Sequence, residues 1–234
     1  MITFVVPAHN EATLLARTLV SIHAAAKAAG VDYELIVVDD ASTDRTADIA
    51  TENGARVVSV AARQISAVRN AGAREAKGDV LVFVDADTIL PPETLAAALA
   101  ALQSGAIGGG GGIAFDEPVP LWARITASMI IGCMRMRSWA AGCFVFVRRE
   151  AFVAVGGFDE EVFVTEELIL SQALKRQGRF VILRERVVTS ARKAQRYSFG
   201  EMLALAGRMA FGGRKAIRRR EGLELWYQRR EEEL

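Results

Sequence analysis

The chain has 234 residues, of which 51% are hydrophobic and 24% charged, and its formal net charge is +1. This length and composition fit one α/β domain with a sizeable core, and they exclude a disordered protein. Cys133 and Cys143 have neither the spacing of a zinc site nor the number needed for a disulfide framework. We therefore expect reduced thiols and a cytoplasmic setting.

Charge is distributed unevenly along the chain. From Arg184 onward there are 13 basic and 7 acidic residues, so this end carries +6 against −5 for the rest. A basic segment on an acidic body suggests an anionic partner, such as phosphate groups, a membrane surface or nucleic acid. A solvated basic helix is an equally good interpretation.

The first hundred residues alternate between strand and helix patterns with short connections. Strands are predicted at Ile2–Val6, Glu34–Asp39, Arg56–Val60 and Val80–Asp85. Helices are predicted after Asn10, which could act as an N-cap, and near 45–52, 65–76 and 91–103. Such alternation implies an α/β fold with a central, mainly parallel sheet and right-handed crossovers.

The pattern changes after Gly105. Gly108–Gly112 are five consecutive glycines, which permit either close backbone approach or mobility. The apolar segment Leu121–Arg137 is too short and too charged to span a bilayer. A strand is predicted at Gly142–Val147 and a helix at Glu166–Arg176. We divide the domain into a donor-binding half, 1–105, an acceptor-binding half, 106–190, and a basic helical tail, 191–234.

Two carboxylates, Asp85 and Asp87, follow the apolar run Val80–Val84. Because one residue separates them, their side chains point to the same side of an extended chain. Ligands of parallel sheets bind beyond the carboxyl ends of the strands, where two acids can hold a divalent cation and, through it, a diphosphate. The alternative is that both acids merely end a strand and begin a turn.

Four motifs occur in order along the chain. Val5–Glu11 ends the first predicted strand and Val37–Asp44 the second. Arg69-Asn70-Ala71-Gly72 precedes the Asp85-Ala86-Asp87 strand, and Gly156–Glu160 is followed by Glu166-Glu167. In this order and spacing the chain resembles the family 2 nucleotide-sugar glycosyltransferases, from about Ile2 to Gly178. The resemblance implies a GT-A fold and inverting, direct transfer of a sugar from a nucleoside diphosphate, with a UDP-linked donor favoured.

Pro7, Ala8 and Asp40 lie at the ends of adjacent predicted strands, where a backbone edge and a carboxylate could hydrogen-bond a uracil-like ring. The resemblance implies that role for Asp40, with Glu11 and Asp39 nearby. Taken singly, the aspartates could equally be turn formers or helix caps.

Two arginines, Arg63 and Arg69, are candidates for phosphate or base contacts, although solvated helix charges are the simpler interpretation. The resemblance assigns Asp87 to the metal and Asp85 to the ribose or the metal shell. Oxygen ligands of this kind suit Mn²⁺ or Mg²⁺. Because His9 and His23 both lie upstream, the sequence leaves the third protein ligand open.

Family members commonly carry Glu-Asp where this chain has Glu166-Glu167. Glu167 matches the usual aspartate and is the expected catalytic base, worth roughly 10²–10⁴-fold in rate. Because glutamate is one methylene longer than aspartate, Glu166 remains a candidate. The alternative is an acidic first helical turn favoured by the helix dipole.

Other functions fit less well. A dinucleotide oxidoreductase would want Gly-x-Gly-x-x-Gly after the first strand, where this chain has Pro7–Glu11. A nucleotidyltransferase would leave Glu167 unexplained, and a nucleotide-sugar-binding protein without transfer activity would suit the altered Glu-Glu pair. Gln195-Arg196-Tyr197 lacks the motif of processive members, so polymerisation is not expected.

The sequence does not specify the acceptor, which could be a small molecule or a lipid-linked one. Ser198 and Glu201 have the spacing of a capping box ahead of the apolar run Met202–Phe211. This predicted helix could lie on an anionic membrane surface, on the inner face of the membrane. Packing on the catalytic domain or on a second subunit is slightly favoured. Nucleic acid is not expected as a partner.

Overall fold

The computed structural model describes residues 1–120, 129, 132, 135–140 and 142–192. The strands are β1 Ile2–Ala8, β2 Tyr33–Asp40, β3 Arg56–Val60, β4 Val80–Val84, β5 Thr88–Ile89, β6 Gly108–Phe115, β7 Phe144–Arg148 and β8 Phe180–Thr189. The helices are α1 Leu15–Ala29, α2 Thr46–Glu52, α3 Ile65–Glu75, α4 Pro92–Gln103, α5 Arg149–Ala154 and α6 Glu166–Gln177.

The strands form one sheet in the order β3-β2-β1-β4-β7-β6-β8-β5. β1 pairs in parallel with β2 and β4, and β2 pairs in parallel with β3. β7 runs antiparallel to both β4 and β6, while β6 and β8 are parallel. The predicted α/β fold with a mainly parallel central sheet is confirmed. Because β1, β2 and β4 are parallel, their carboxyl ends open on one edge of the sheet.

The core lies on both faces of the sheet, since alternate residues of a strand point in opposite directions. Phe4 and Val6 of β1 belong to the cluster covered by α1, α2 and α4. Val5 belongs to the cluster on the other face, which α3, α5 and α6 cover. The continuous apolar runs of β1 and β4 are therefore what a sheet buried on both faces requires.

The glycine run Gly108–Gly112 forms the start of β6. A Cβ on Gly109 would lie 2.5 Å from Cζ of Phe146, and a Cβ on Gly110 would lie 2.8 Å from the Cβ of Ala140. Glycine is needed here because neighbouring side-chain and backbone atoms occupy the space of its side chain, which favours close approach over mobility.

Some local predictions were wrong or fall outside the described residues. Asn10 does not cap α1: its backbone is left-handed, with φ of 52°, and its Oδ1 accepts a hydrogen bond from Thr43 N at 2.7 Å. The predicted capping box at 198–201 and the rest of the tail beyond 192 lie outside the described residues, as does most of 121–137. Within the part that the structure describes, no helix is long and apolar enough to cross a membrane. Cys143 is buried with a free thiol.

Candidate functional site

The carboxyl edge of the parallel strands brings together the ends of β1, β2 and β4. Ala8 lies opposite Asp39 in the β1–β2 register, and Pro7 lies opposite Val38. Asp85 comes directly after the last residue of β4, and Asp87 follows two positions later. Three of the segments that the sequence singled out therefore meet at this edge, as the parallel topology requires.

Asp40 and Arg63 shape the loop beside the end of β2. Oδ1 of Asp40 accepts hydrogen bonds from the backbone N–H groups of Ala62, at 2.7 Å, and Arg63, at 3.0 Å. Nη1 of Arg63 donates to Nε2 of His9 at 2.8 Å, so Nδ1 of His9 carries the proton and donates to the Asp40 carbonyl, also at 2.8 Å. These bonds show a structural role for Asp40 at the turn, beside any contact with a base.

Asp39 is 7% exposed, and its Oδ1 has no hydrogen-bond partner among the described residues. A buried carboxylate oxygen without a partner is costly, since desolvation is not repaid by a donor. A bound molecule with an N–H or O–H group would supply that donor. This makes Asp39, rather than Asp40, the carboxylate best prepared to receive a ligand at this edge.

Asp87 and Glu11 both bind the guanidinium of Arg192. Nη2 of Arg192 lies 3.0 Å from Oδ2 of Asp87 and 2.9 Å from Oε2 of Glu11. Asp116 holds the preceding residue, because its Oδ1 accepts from Ala191 N at 2.9 Å. Burial lowers the pKa of Arg192, but the charges of Glu11 and Asp87 raise this pKa by more than burial lowers it, so the guanidinium stays charged.

These contacts test whether the site fits a metal ion. Two carboxylates from separate elements converge on one positive group, and oxygen ligands are those that Mn²⁺ and Mg²⁺ prefer. The arrangement fits a divalent cation, which Asp87 and Glu11 would hold, although the sequence had placed Glu11 only near the nucleotide. Within the described residues, no cluster of three or more candidate ligand residues is already formed.

A second cluster surrounds Arg69 of α3, which is only 2% exposed. Nη1 lies 2.9 Å from Oε1 of Glu166 and 2.8 Å from Oε1 of Glu167. Nη2 lies 2.9 Å from Oδ1 of Asp85 and 3.0 Å from the carbonyl oxygen of Gly142. The interpretation of Arg69 as a solvated helix charge is therefore wrong: it joins β4 to the start of α6.

The electrostatics of this cluster separate the two glutamates. Burial, followed by the charge of Glu167, raises the pKa of Glu166 well above its usual value. Burial would also raise the pKa of Glu167, but the charge of Arg69 and hydrogen bonds from Glu166 and Arg69 lower it. The two carboxyl groups titrate as a coupled pair, in which these shifts favour the shared proton on Glu166 and the ionised form on Glu167.

Three residues of these clusters were missed or misjudged from the sequence. Arg69 lies in one of the four motifs, which was a usable signal, but its partners are 16, 97 and 98 residues away. Gly142 and Arg192 carried no signal, because neither lies in a recognisable motif.

The fold is that of the GT-A class of glycosyltransferases. The model of glycosyl transferase family 2 matches residues 3–158, and the chain belongs to this family. Relatives include an undecaprenyl-phosphate 4-deoxy-4-formamido-L-arabinose transferase of Edwardsiella ictaluri, 37% identical over 112 residues. A dolichol-phosphate mannosyltransferase of Pyrococcus furiosus is 35% identical over 109 residues. Each match covers 44% of this chain, but only 34% and 30% of those relatives.

Solved structures show the same fold at low sequence identity. A mannosyltransferase from Pyrobaculum calidifontis in complex with GDP-Man and Mn²⁺ has a TM-score of 0.63 at 23% identity, covering 81% of this chain and 56% of that one. TarS of S. aureus in complex with UDP has a TM-score of 0.61 at 18% identity, covering 81% and 60%. These likenesses show the GT-A fold and no more.

Proposed function

We propose that the protein is a metal-dependent, inverting glycosyltransferase that moves a sugar from a nucleoside-diphosphate sugar to an acceptor hydroxyl. A UDP-linked sugar is the favoured donor. One observation carries the proposal. Asp85 and Glu167 bind the two terminal nitrogens of the Arg69 guanidinium. The carboxylate of Glu167 is therefore held close to the Asp85–Asp87 pair, which would bind the diphosphate through a metal ion.

The residues divide into a donor set and a reacting set. Pro7, Ala8, Asp39 and Asp40 would bind the nucleoside base, with Arg63 nearby, and Asp85 would bind the ribose or the metal shell. A Mn²⁺ or Mg²⁺ ion bound by Asp87 and Glu11 would supply positive charge to the diphosphate that leaves. This assigns 1–105 to the donor and leaves 106–190 to the acceptor.

Glu167 would act as the base. The acceptor oxygen attacks the anomeric carbon, the bond from that carbon to the diphosphate breaks, and the acceptor proton passes to Glu167. Because attack and departure occur on opposite faces, the anomeric configuration inverts. A carboxylate base in this role contributes roughly 10²–10⁴-fold.

The chemical class of the acceptor follows from the need for a base. Water and alcohols are very weak acids, so both require proton removal during attack. A phosphate monoester, with a second pKa of about 6, is already anionic and would meet the charges of Glu167, Asp85 and Asp87. The site therefore favours a neutral hydroxyl.

A lipid-phosphate acceptor is the second candidate, because relatives named for undecaprenyl phosphate and dolichol phosphate match this chain. On that alternative the enzyme would work at the cytoplasmic face of a membrane, with the basic tail near anionic lipid. The tail beyond residue 192 lies outside the described residues, so this proposal rests on its charge.

Donor turnover tests the proposal. The protein is incubated with UDP-glucose, UDP-GlcNAc or GDP-mannose and Mn²⁺, and released UDP or GDP is measured, with water, simple sugars and undecaprenyl phosphate as acceptors. We expect metal-dependent release of nucleoside diphosphate from one donor, and Glu167→Gln should slow transfer to hydroxyls.

Binding without release would indicate a nucleotide-sugar-binding protein, and pyrophosphate release from a nucleoside triphosphate would indicate a nucleotidyltransferase. Transfer to undecaprenyl phosphate that Glu167→Gln leaves unchanged would favour the lipid acceptor.

A further inference from the structure

Gly142 lies against the base, two residues before β7. A Cβ at this position would overlap Oε1 of Glu167, and it would lie 2.8 Å from Cδ of Glu167 and 3.1 Å from Nη2 of Arg69. Gly142 does not have a left-handed backbone, so the turn itself does not require glycine. What requires glycine is the space that the Glu167 carboxylate occupies.

The backbone on either side of this contact cannot separate freely. Ala140 N donates to Oγ of Ser171 at 3.0 Å, and Ser171 donates to the carbonyl oxygen of Glu167 at 2.6 Å. The carbonyl oxygen of Gly142 also accepts from Arg69 at 3.0 Å. These bonds fix the segment of Gly142 relative to the first turn of α6, so an added methyl group must displace the Glu167 side chain instead.

We propose that Gly142 is a positioning residue, whose missing side chain makes room for the long Glu167 side chain to place its carboxylate on Arg69 facing the acceptor. This inference rests on the proposed function, because it assumes that Glu167 is the base. The longer side chain at 167 and the bare Cα at 142 are a matched pair, and neither should be changed alone without loss.

Four proteins test the pairing: wild type, Gly142→Ala, Glu167→Gln and the double variant. The measured quantity is release of UDP or GDP, with Mn²⁺ and water, from whichever of UDP-glucose, UDP-GlcNAc and GDP-mannose the wild type hydrolyses. Because a displacement of about 1 Å can cost 10²-fold, we expect Gly142→Ala to lower kcat by about that factor. The KM for the donor should change by no more than a few-fold. The double variant should be no slower than Glu167→Gln alone.

A failure of the proposed function and a failure of the positioning role of Gly142 give different results. If Glu167→Gln is as active as wild type, the base assignment of the proposed function is wrong. If Glu167→Gln is slow but Gly142→Ala is normal, or if their losses multiply in the double variant, the positioning role of Gly142 is wrong.

Gly142→Ala combined with Glu167→Asp covers the case in which Gly142→Ala does not fold. Aspartate is one methylene shorter, so its carboxylate withdraws from the added methyl group. We expect the double variant to unfold at the same temperature as Glu167→Asp alone and to be at least as active as that single variant. A double variant that is unfolded, or that is about 10²-fold slower than Glu167→Asp, would overturn the inference.

Discussion

Two arginines at the same edge of the sheet each gather carboxylates, yet their surroundings differ. Arg69 is buried, with a side chain that is 2% exposed, and it binds Asp85, Glu166 and Glu167. Arg192 has a side chain that is 42% exposed, and it binds Glu11 and Asp87. Each cluster has more acidic groups than basic ones, but only the second has its guanidinium open to water.

Burial decides what each cluster can do. A buried charge without its partner is strongly destabilising, so Arg69 cannot leave and its carboxylates keep fixed places. An exposed ion pair is worth little, so Arg192 can be exchanged for another cation at small cost. The buried cluster therefore suits the base, and the exposed one suits a metal ion that binds with the donor.

Arg69→Met should have the largest effect. It leaves the carboxyl groups of Asp85, Glu166 and Glu167 without their cation, and we expect a loss of about 3–5 kcal/mol in the free energy of unfolding at neutral pH. Without Arg69 the pKa values of these carboxyls rise above their unfolded values, so stability is present at low pH and is lost as the pH rises. Urea unfolding at acidic and neutral pH measures both effects.

Arg74→Met is the matched control on the same helix, because Arg74 is 66% exposed and pairs with Glu160 at 3.6 Å. It should change stability by less than about 1 kcal/mol. Equal effects of the two substitutions would contradict the difference between buried and exposed arginines.

Glu167→Gln should lower the rate of transfer by roughly 10²-fold or more while donor affinity stays within a few-fold, because only proton abstraction is lost. Glu166→Gln should do much less, since a glutamine amide can still donate to Glu167 and accept from Arg69. Steady-state kinetics of the two variants with the same donor separate them. If Glu166→Gln is the inactive variant, the assignment of the base is off by one residue.

Asp87→Asn should abolish the Mn²⁺-dependent part of UDP binding while the fold survives, because the diphosphate loses its cation at the exposed cluster. Calorimetry with UDP, in the presence and absence of Mn²⁺, measures this. Asp79→Asn serves as the control, since Asp79 is 81% exposed and pairs with the N-terminus. An unchanged Mn²⁺ dependence in Asp87→Asn would remove the metal assignment.

Arg192→Gln should have the smallest effect. Loss of this exposed ion pair should shift the unfolding free energy by less than about 1 kcal/mol. Because the guanidinium no longer competes for Glu11 and Asp87, binding of UDP with Mn²⁺ should become a few-fold tighter. Arg184→Gln, an exposed arginine of β8, should leave this binding unchanged. Weaker binding in Arg192→Gln would show that Arg192 assists the donor.

The sequence predicted the edge of the sheet well but not the cluster that organises it. Apolar runs and strand–helix alternation are local patterns, so β1, β2, β4 and α6 could be located from a few neighbouring residues each. The ends of those strands then had to meet, because parallel strands share one edge. Asp85 and Asp87 were found in this way and Glu167 from the family resemblance, and their roles stay predictions.

Contacts between distant residues could not be read in this way. A charged residue on an amphipathic helix is usually solvated, and nothing near Arg69 in the sequence shows that carboxylates 97 and 98 residues later surround it. The pairing of Arg192 with Asp87 spans 105 residues, and that of Gly142 with Glu167 depends on where the loop before β7 and the start of α6 are placed. Tertiary packing, not local preference, decides all three.

The most direct test of the account is the pH dependence of kcat, measured at saturating donor and Mn²⁺ for wild type, Glu166→Gln and Glu167→Gln. Because the pKa of Glu167 is lowered, we predict that wild-type activity persists through neutral pH and falls only as acid protonates this group. Glu166→Gln should keep that acidic limb, and Glu167→Gln should show a low rate without it. An acidic limb that disappears in Glu166→Gln and persists in Glu167→Gln would contradict the assignment of base and proton donor within the buried cluster.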